Sequence, residues 1–271
     1  MGAEINAQES DAGESLPIFS DSTGPMVFKI AGHLKISCTT YDYTAIFFGD
    51  SASFIEIELD EIYYTPQTTF NPITINNSNF ILKARKIFNN TYDAFDVSGT
   101  NNYAFIKIDE VEVLASIVEF LGAGQYYAEI GRATKTPEPW AGSADLSVDS
   151  SVNSLVKIGV ITGNPVFNGT GGIVEVDLIK ATFDTSVAAI ISTSGLFRLH
   201  KVVATANQPA IGLNHSNASL QEAILIAGSG ATNSIVGTHS IKIFGNVVAN
   251  KAVSSSVTQL VGTTNVSVSV T

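Results

Sequence analysis

The chain has one cysteine, Cys38, in 271 residues. No internal disulfide framework is available, so burial and hydrogen bonding must hold the fold. Charge is sparse: Asp, Glu, Lys and Arg make up 14% of the sequence, with 14 Lys and Arg against 25 Asp and Glu. The formal net charge of −11 argues against nucleic-acid binding, because such a surface repels a polyanion. No apolar run approaches the ~18 residues of a membrane-spanning helix, and the start lacks the basic and apolar regions of a signal peptide. Membrane insertion is therefore not expected. The four histidines, His33, His200, His215 and His239, lack metal-ligand spacing, so neither a metal nor a cofactor is expected. Helical periodicity is missing too, and Val, Ile, Thr, Phe and Tyr favour strand.

What the sequence does contain is a repeat. An apolar residue, a charged one and another apolar one return as Phe28-Lys29-Ile30, Ile55-Glu56-Ile57, Leu82-Lys83-Ala84, Ile106-Lys107-Ile108, Ala128-Glu129-Ile130, Val156-Lys157-Ile158, Val174-Glu175-Val176, Phe197-Arg198-Leu199, Gln221-Glu222-Ala223 (its first position polar) and Ile241-Lys242-Ile243. The mean spacing is about 24 residues, the range of solenoids and propellers. In a strand the flanking apolar residues face a core and the central charge faces out. Eight of the nine successive charge pairs are opposite in sign, so stacked coils would carry an attractive outward ladder about 4.8 Å per step. A second apolar run in most repeats, such as Pro72-Ile73-Thr74-Ile75 or Ala94-Phe95-Asp96-Val97, ends in a polar, glycine-rich corner. A third short strand follows the charged one, as in Lys201-Val202-Val203. The pattern predicts an all-β chain: a right-handed, single-stranded parallel β-helix of about ten coils over residues 26–271. Residues 1–25 hold Glu4, Glu9, Asp11, Glu14 and Asp21 with no Lys or Arg, and are expected to form a flexible acidic arm that docks on a partner.

The ladder of coils, the Asn/Gly/Ser corners and the Ser/Thr-rich strands resemble phage tailspike and fibre proteins. The stretch Asn246-Val247-Val248-Ala249-Asn250-Lys251-Ala252-Val253, continuing through Val257-Thr258-Gln259-Leu260-Val261-Gly262-Thr263, is similar to the tails of virion proteins of crAss-like and related phages. That resemblance implies a homotrimeric spike or fibre of the tail or head, assembled in the host cytoplasm and resident in the virion. It further implies attachment to other virion proteins, through residues 1–25, and adhesion to host surface glycan. The chain departs from the pattern in showing no C-terminal trimerisation domain and in having a shorter β-helix than a depolymerase. Two alternatives are a glycan-degrading β-helix hydrolase or lyase and, more weakly, a bacterial surface adhesin.

The longest excursion from the repeat lies between Glu129 and Lys157 and contains Thr136-Pro137-Glu138-Pro139-Trp140-Ala141-Gly142-Ser143. The single tryptophan sits behind two prolines that stiffen the loop. Trp140, Glu138, Tyr126 and Tyr127 are the expected ligand or partner contacts. A glycosidase would need two carboxylates about 5–9.5 Å apart. Asp60 with Asp109 and Asp109 with Glu110 have that possibility, but outward acids are ordinarily solvated, and no catalytic residue is assigned. Asp177 and His200 share a repeat position one coil apart, as a surface contact would require.

Overall fold

The computed structural model describes residues 3–8, 19–20, 26–39, 44–49, 53–65, 71–99, 103–135, 146–150, 153–163, 165–169, 171–183, 190–192, 195–206, 211–213, 216–229, 231–237, 241–243, 246–253, 258–260 and 265–268, and these are the described residues throughout. They contain strands and no helix. The strands pair in parallel and stack into a β-solenoid of two sheets, one of 15 strands and one of 11. The expected fold class is the one found; the figure of ten coils is approximate.

The first sheet is built from long strands, among them Phe54–Thr65, Asn79–Asn89, Tyr103–Val113, Gln125–Lys135, Ser154–Thr162 and Ile173–Phe183. Each turns a corner partway along. In Tyr103–Val113 the first half buries Ala104, Ile106 and Ile108, and the second half buries Val111 and Val113. Between them Asp109 and Glu110 both point outward, which breaks the two-residue alternation once. The pairing shows the same break: Ile108 faces Ile130 and Glu110 faces Arg132, with the intervening residues unpaired. One long strand thus supplies two sides of each coil, and the second sheet supplies a third.

Corner geometry explains two glycines. A Cβ on Gly131 would stand 2.6 Å from the Asp109 carbonyl oxygen, and one on Gly159 would stand 2.6 Å from that of Gly131. Backbone meets backbone there, and a side chain would push neighbouring coils apart.

The second sheet stacks short strands, including Ile73–Asn76, Asp96–Ser98, Ser116–Phe120, Leu146–Ser150 and Pro165–Gly169. Aromatic rings join its inner face to the first sheet. Phe95 and Phe120 lie 5.9 Å apart, and Phe120 stacks on Tyr126 at 4.9 Å. Full burial of one such ring stabilises by about 1.5–3 kcal/mol. A buried asparagine holds the corner leading into this sheet. The Asn89 Nδ2 donates to the Asp93 carbonyl at 2.8 Å, while its Oδ1 accepts from the Thr91 backbone N–H at 3.0 Å.

Part of residues 1–25 belongs to the sheets. Ala3–Gln8 pairs with Leu34–Thr39, and Phe19–Ser20 pairs with Ile46 and Phe47.

Candidate functional site

Alternation along each strand fixes which side chains reach the surface, and stacking then arranges them in columns. The expected charge ladder forms over its central stretch. Lys83, Lys107, Glu129, Lys157, Glu175 and Arg198 occupy successive paired positions. Lys107 bonds Glu129 at 2.9 Å, Lys157 lies 3.7 Å from Glu175, and Arg198 also bonds Glu175. The Lys107 ammonium holds the Glu129 carboxyl below the usual carboxylate range. Lys29 faces Glu56 at 2.7 Å and depresses it in the same way.

Two expected rungs need correction. Lys83 is in register with Glu58, 3.9 Å away, because Ile57 aligns with Leu82; Glu56 faces Ile81 instead. Glu222 lies beyond the corner, where it faces Lys201 at 3.1 Å. Ser219 takes the place facing Arg198 and leads on to Lys242, because Ala218 and Leu220 are in register with Phe197 and Leu199.

Beyond the corner runs a second ladder that sequence reasoning missed. Glu4, Lys35, Glu61, Lys86, Glu110 and Arg132 alternate in sign through successive strands. Lys86 reaches Glu110 at 3.3 Å and Glu112 at 3.0 Å. From Glu61 to Arg132 its members lie three residues after Glu58, Lys83, Lys107 and Glu129 of the first ladder, an odd offset that a strict period of two assigns to the interior. The column continues as Val160 and Leu178 before Lys201 and Glu222 restore charge.

Of the four expected contact residues, Trp140 and Glu138 lie outside the described residues. Tyr126 faces inward with Ala128 and Ile130 and is 3% exposed. Its hydroxyl lies 3.1 and 3.0 Å from the Gly99 and Leu121 carbonyl oxygens, between which its one proton is shared, so most of the ring belongs to the core. Tyr127 faces outward, stacks on Phe105 at 5.2 Å and donates to Glu129 Oε2 at 3.2 Å. With Tyr103, Gln125, Tyr126 and Asn153 it lines an open hollow of about 340 Å³. Tyr103 is 43% exposed. Two aromatic rings with two amide side chains offer what a sugar requires: flat apolar faces and groups that both donate and accept hydrogen bonds.

The proposed carboxylate pairs are taken up otherwise. Asp60 faces the His33 ring at 3.2 Å. Arg85 stands between the positions of Asp60 and Asp109 and bonds Glu61 at 2.8 Å, while Glu110 bonds Lys86. Asp177 and His200 do lie together, 3.9 Å apart.

A different set of acids comes together on the second sheet. Asp96 is in register with Glu119, and Glu119 with Asp149. Asp93, at 1% exposure, accepts from the Ser116 backbone N–H at 2.6 Å and shares a hydrogen bond with Glu119. Ser147 donates to Asp149 Oδ2 at 2.6 Å. Burial and the neighbouring Asp93 push the Asp96 carboxyl up to about 6. Burial, followed by the charges of Asp93 and Asp96, pushes Glu119 up to about 8. The signal was visible, since Phe95-Asp96-Val97 and Val118-Glu119-Phe120 repeat the ladder's own phrase with one sign. Among the described residues no group of His, Cys, Asp and Glu has the geometry to hold a metal ion, and no helix is long and apolar enough to cross a membrane. Comparison with protein-family models, with curated proteins and with solved structures finds no match.

Proposed function

We propose that this chain is a structural virion protein, a tail spike, tail fibre or head fibre, that meets host surface glycan along its flank. The observation that carries the reading is the hollow formed by Tyr103, Gln125, Tyr127 and Asn153 on a solenoid side otherwise occupied by paired charges. Parallel coils locked by cross-strand ion pairs give a stiff support, and an open hollow suits one or two sugars of a longer chain better than an enclosed small molecule. Residues 1–25 serve as the attachment segment to other virion proteins, and copies of the chain assemble as a homotrimer. Of the acids considered for catalysis, Asp60 is paired with His33 and Glu110 with Lys86, which favours adhesion over cleavage.

Binding to an array of bacterial surface glycans tests this reading. Retention of one glycan class by the full chain, lost in Tyr127→Ala and Tyr103→Ala with the unfolding midpoint preserved, is the expected result. Release of new reducing ends by the wild-type chain would replace adhesion with hydrolysis. Equal retention by wild type and both variants would remove the hollow from the proposal. Light scattering of the same preparation checks the trimer.

A further inference from the structure

We propose that Asp93, Asp96 and Glu119, with Asp149 in register beside them, form a proton-operated latch that clasps the Asp96–Ser98, Ser116–Phe120 and Leu146–Ser150 strands while the first three share protons and slackens when those three are emptied. Three geometric observations support it. First, Asp96, Glu119 and Asp149 follow one another in register on three neighbouring strands, so like charges would stand about 4.8 Å apart per step. In the two charge ladders of the first sheet, by contrast, most steps between charged residues alternate in sign. Second, the cluster is partly withdrawn from water: Asp93 is buried, Asp96, Glu119 and Asp149 are half-buried, and Asp96 Oδ1 is buried without a hydrogen-bond partner. Third, pairing is already interrupted beside it, because the Ser116–Phe120 and Leu146–Ser150 strands shift register between Ser116 and Val118.

Among the described residues the groups facing the stack offer no cation. The corner before it supplies Tyr92, whose hydroxyl the charge on Asp93 and then burial hold above its ordinary value, so it stays neutral. Thr74 and Asn76 flank Asp96 and Ser98 on one side, and Asn168 flanks Asp149 on the other. Ser116 and Ser147 donate. Two carboxyls in this setting are stable when one lends the other a proton, and like charges at that separation resist joint ionisation.

The sign follows from linkage. Glu119 and Asp96 bind protons more tightly folded than unfolded, since both are raised, to about 8 and about 6. Their contribution to stability is fully present below the ordinary carboxylate range and is lost as pH climbs through those folded values. The Leu146–Ser150 strand is the one that residues 136–145, with Trp140, lead into, so slackening would reach the base of that segment.

Urea unfolding of the full chain at pH 5, 6.5 and 8 is the test, joined to amide exchange corrected for its intrinsic pH dependence. The folding equilibrium constant of the wild type is expected to fall by at least about tenfold from pH 5 to 8, one pKa unit's worth. Protection of the three latch strands should drop relative to the Phe54–Thr65 strand. Glu119→Gln should flatten the profile, and Asp96→Asn should flatten its lower part. A wild-type profile without slope overturns the latch, as does a slope retained in full by both variants, or a loss of protection spread evenly over the molecule. The wild-type measurements need no variant, so a substituted chain that failed to fold would leave the test standing.

Discussion

Ile106-Lys107-Ile108 and Val118-Glu119-Phe120 are the same phrase, set about a dozen residues apart on two sides of the solenoid. Each buries its apolar pair and turns its charge outward. Their electrostatics are opposed. Lys107 stands between Lys83 and Glu129 and bonds the latter at 2.9 Å, while Glu119 stands between Asp96 and Asp149. The phrase settles which side chain faces in; the sign of the neighbouring coil settles what charge the outward group can carry. The two sides therefore fail at opposite ends of the pH scale. Glu56 and Glu129 are depressed by Lys29 and Lys107, so what they add is present above the ordinary carboxylate range and lost as pH falls through their folded values. The stack on the second sheet loses its contribution as pH rises.

The largest effect should come from what the two sides share. Phe120 lies beneath Glu119 in sequence and between Phe95 and Tyr126 in the core, at 1% exposure. Phe120→Ala should cost about 3–5 kcal/mol by chemical unfolding, the range for deleting a buried ring. A cost under about 1 kcal/mol would mean that the coil interior collapses around the gap. Next comes an exchange of one side's electrostatics for the other's. Glu119→Lys turns Asp96, Glu119 and Asp149 into an alternating triplet. At pH 8 the variant should exceed the wild type by about 1.4–2.7 kcal/mol, one to two pKa units of interaction. At pH 5 it should be the less stable of the two, because the hydrogen bond that Glu119 shares with Asp93 is gone. A variant weaker than wild type at both pH values would show that desolvating the new ammonium outweighs the pairing.

How much of this was legible in the sequence differs by level. Period and alternation point to a parallel solenoid, which buries Ile106 and Ile108, Val174 and Val176, and Phe197 and Leu199 while leaving Lys107, Glu175 and Arg198 outside. The same alternation places Tyr126 indoors with Ala128, which a reading based on aromatic exposure overlooked. The corner was not legible. Asp109 and Glu110 are adjacent outward residues, and nothing local distinguishes such a pair from an exposed loop; once parity shifts there, the Glu61–Lys86–Glu110–Arg132 column disappears from view. Glu56 and Glu58 illustrate a second limit. Ile55-Glu56-Ile57-Glu58-Leu59 holds the phrase twice, and the choice between them depends on which apolar residue meets Leu82 in the next coil. The carboxylate stack required the longest step, because the acids were evident singly and their repulsion exists only between strands 23 and 30 residues apart in sequence.

Two smaller substitutions probe the ladders themselves. Lys86 is the better buried of the cations, with a side chain 23% exposed, and it serves both Glu110 and Glu112. Lys86→Met keeps most of the apolar stem and removes the charge, so a loss of about 1 kcal/mol is expected. Urea unfolding measures it, and Glu110→Gln in the same background should then add almost nothing, since its partner is already gone.

The smallest effect belongs to the most exposed column. Glu129→Lys places four cations in successive coils, with Lys83, Lys107 and Lys157 as the neighbours. The rungs are open to solvent, so the repulsion is weak, and its signature is salt dependence more than size. At an ionic strength of about 0.01 M the screening length is roughly 30 Å and all four charges act on one another; at about 1 M it is roughly 3 Å and adjacent rungs no longer do. The unfolding midpoint of the variant should therefore lie below the wild type in low salt and rejoin it in high salt. A deficit that ignored salt would assign the loss to the Tyr127 hydroxyl, which donates to Glu129 and lines the hollow. In that case the rung would be holding an aromatic ring in place, and the ladder and the glycan-facing surface would be a single structure.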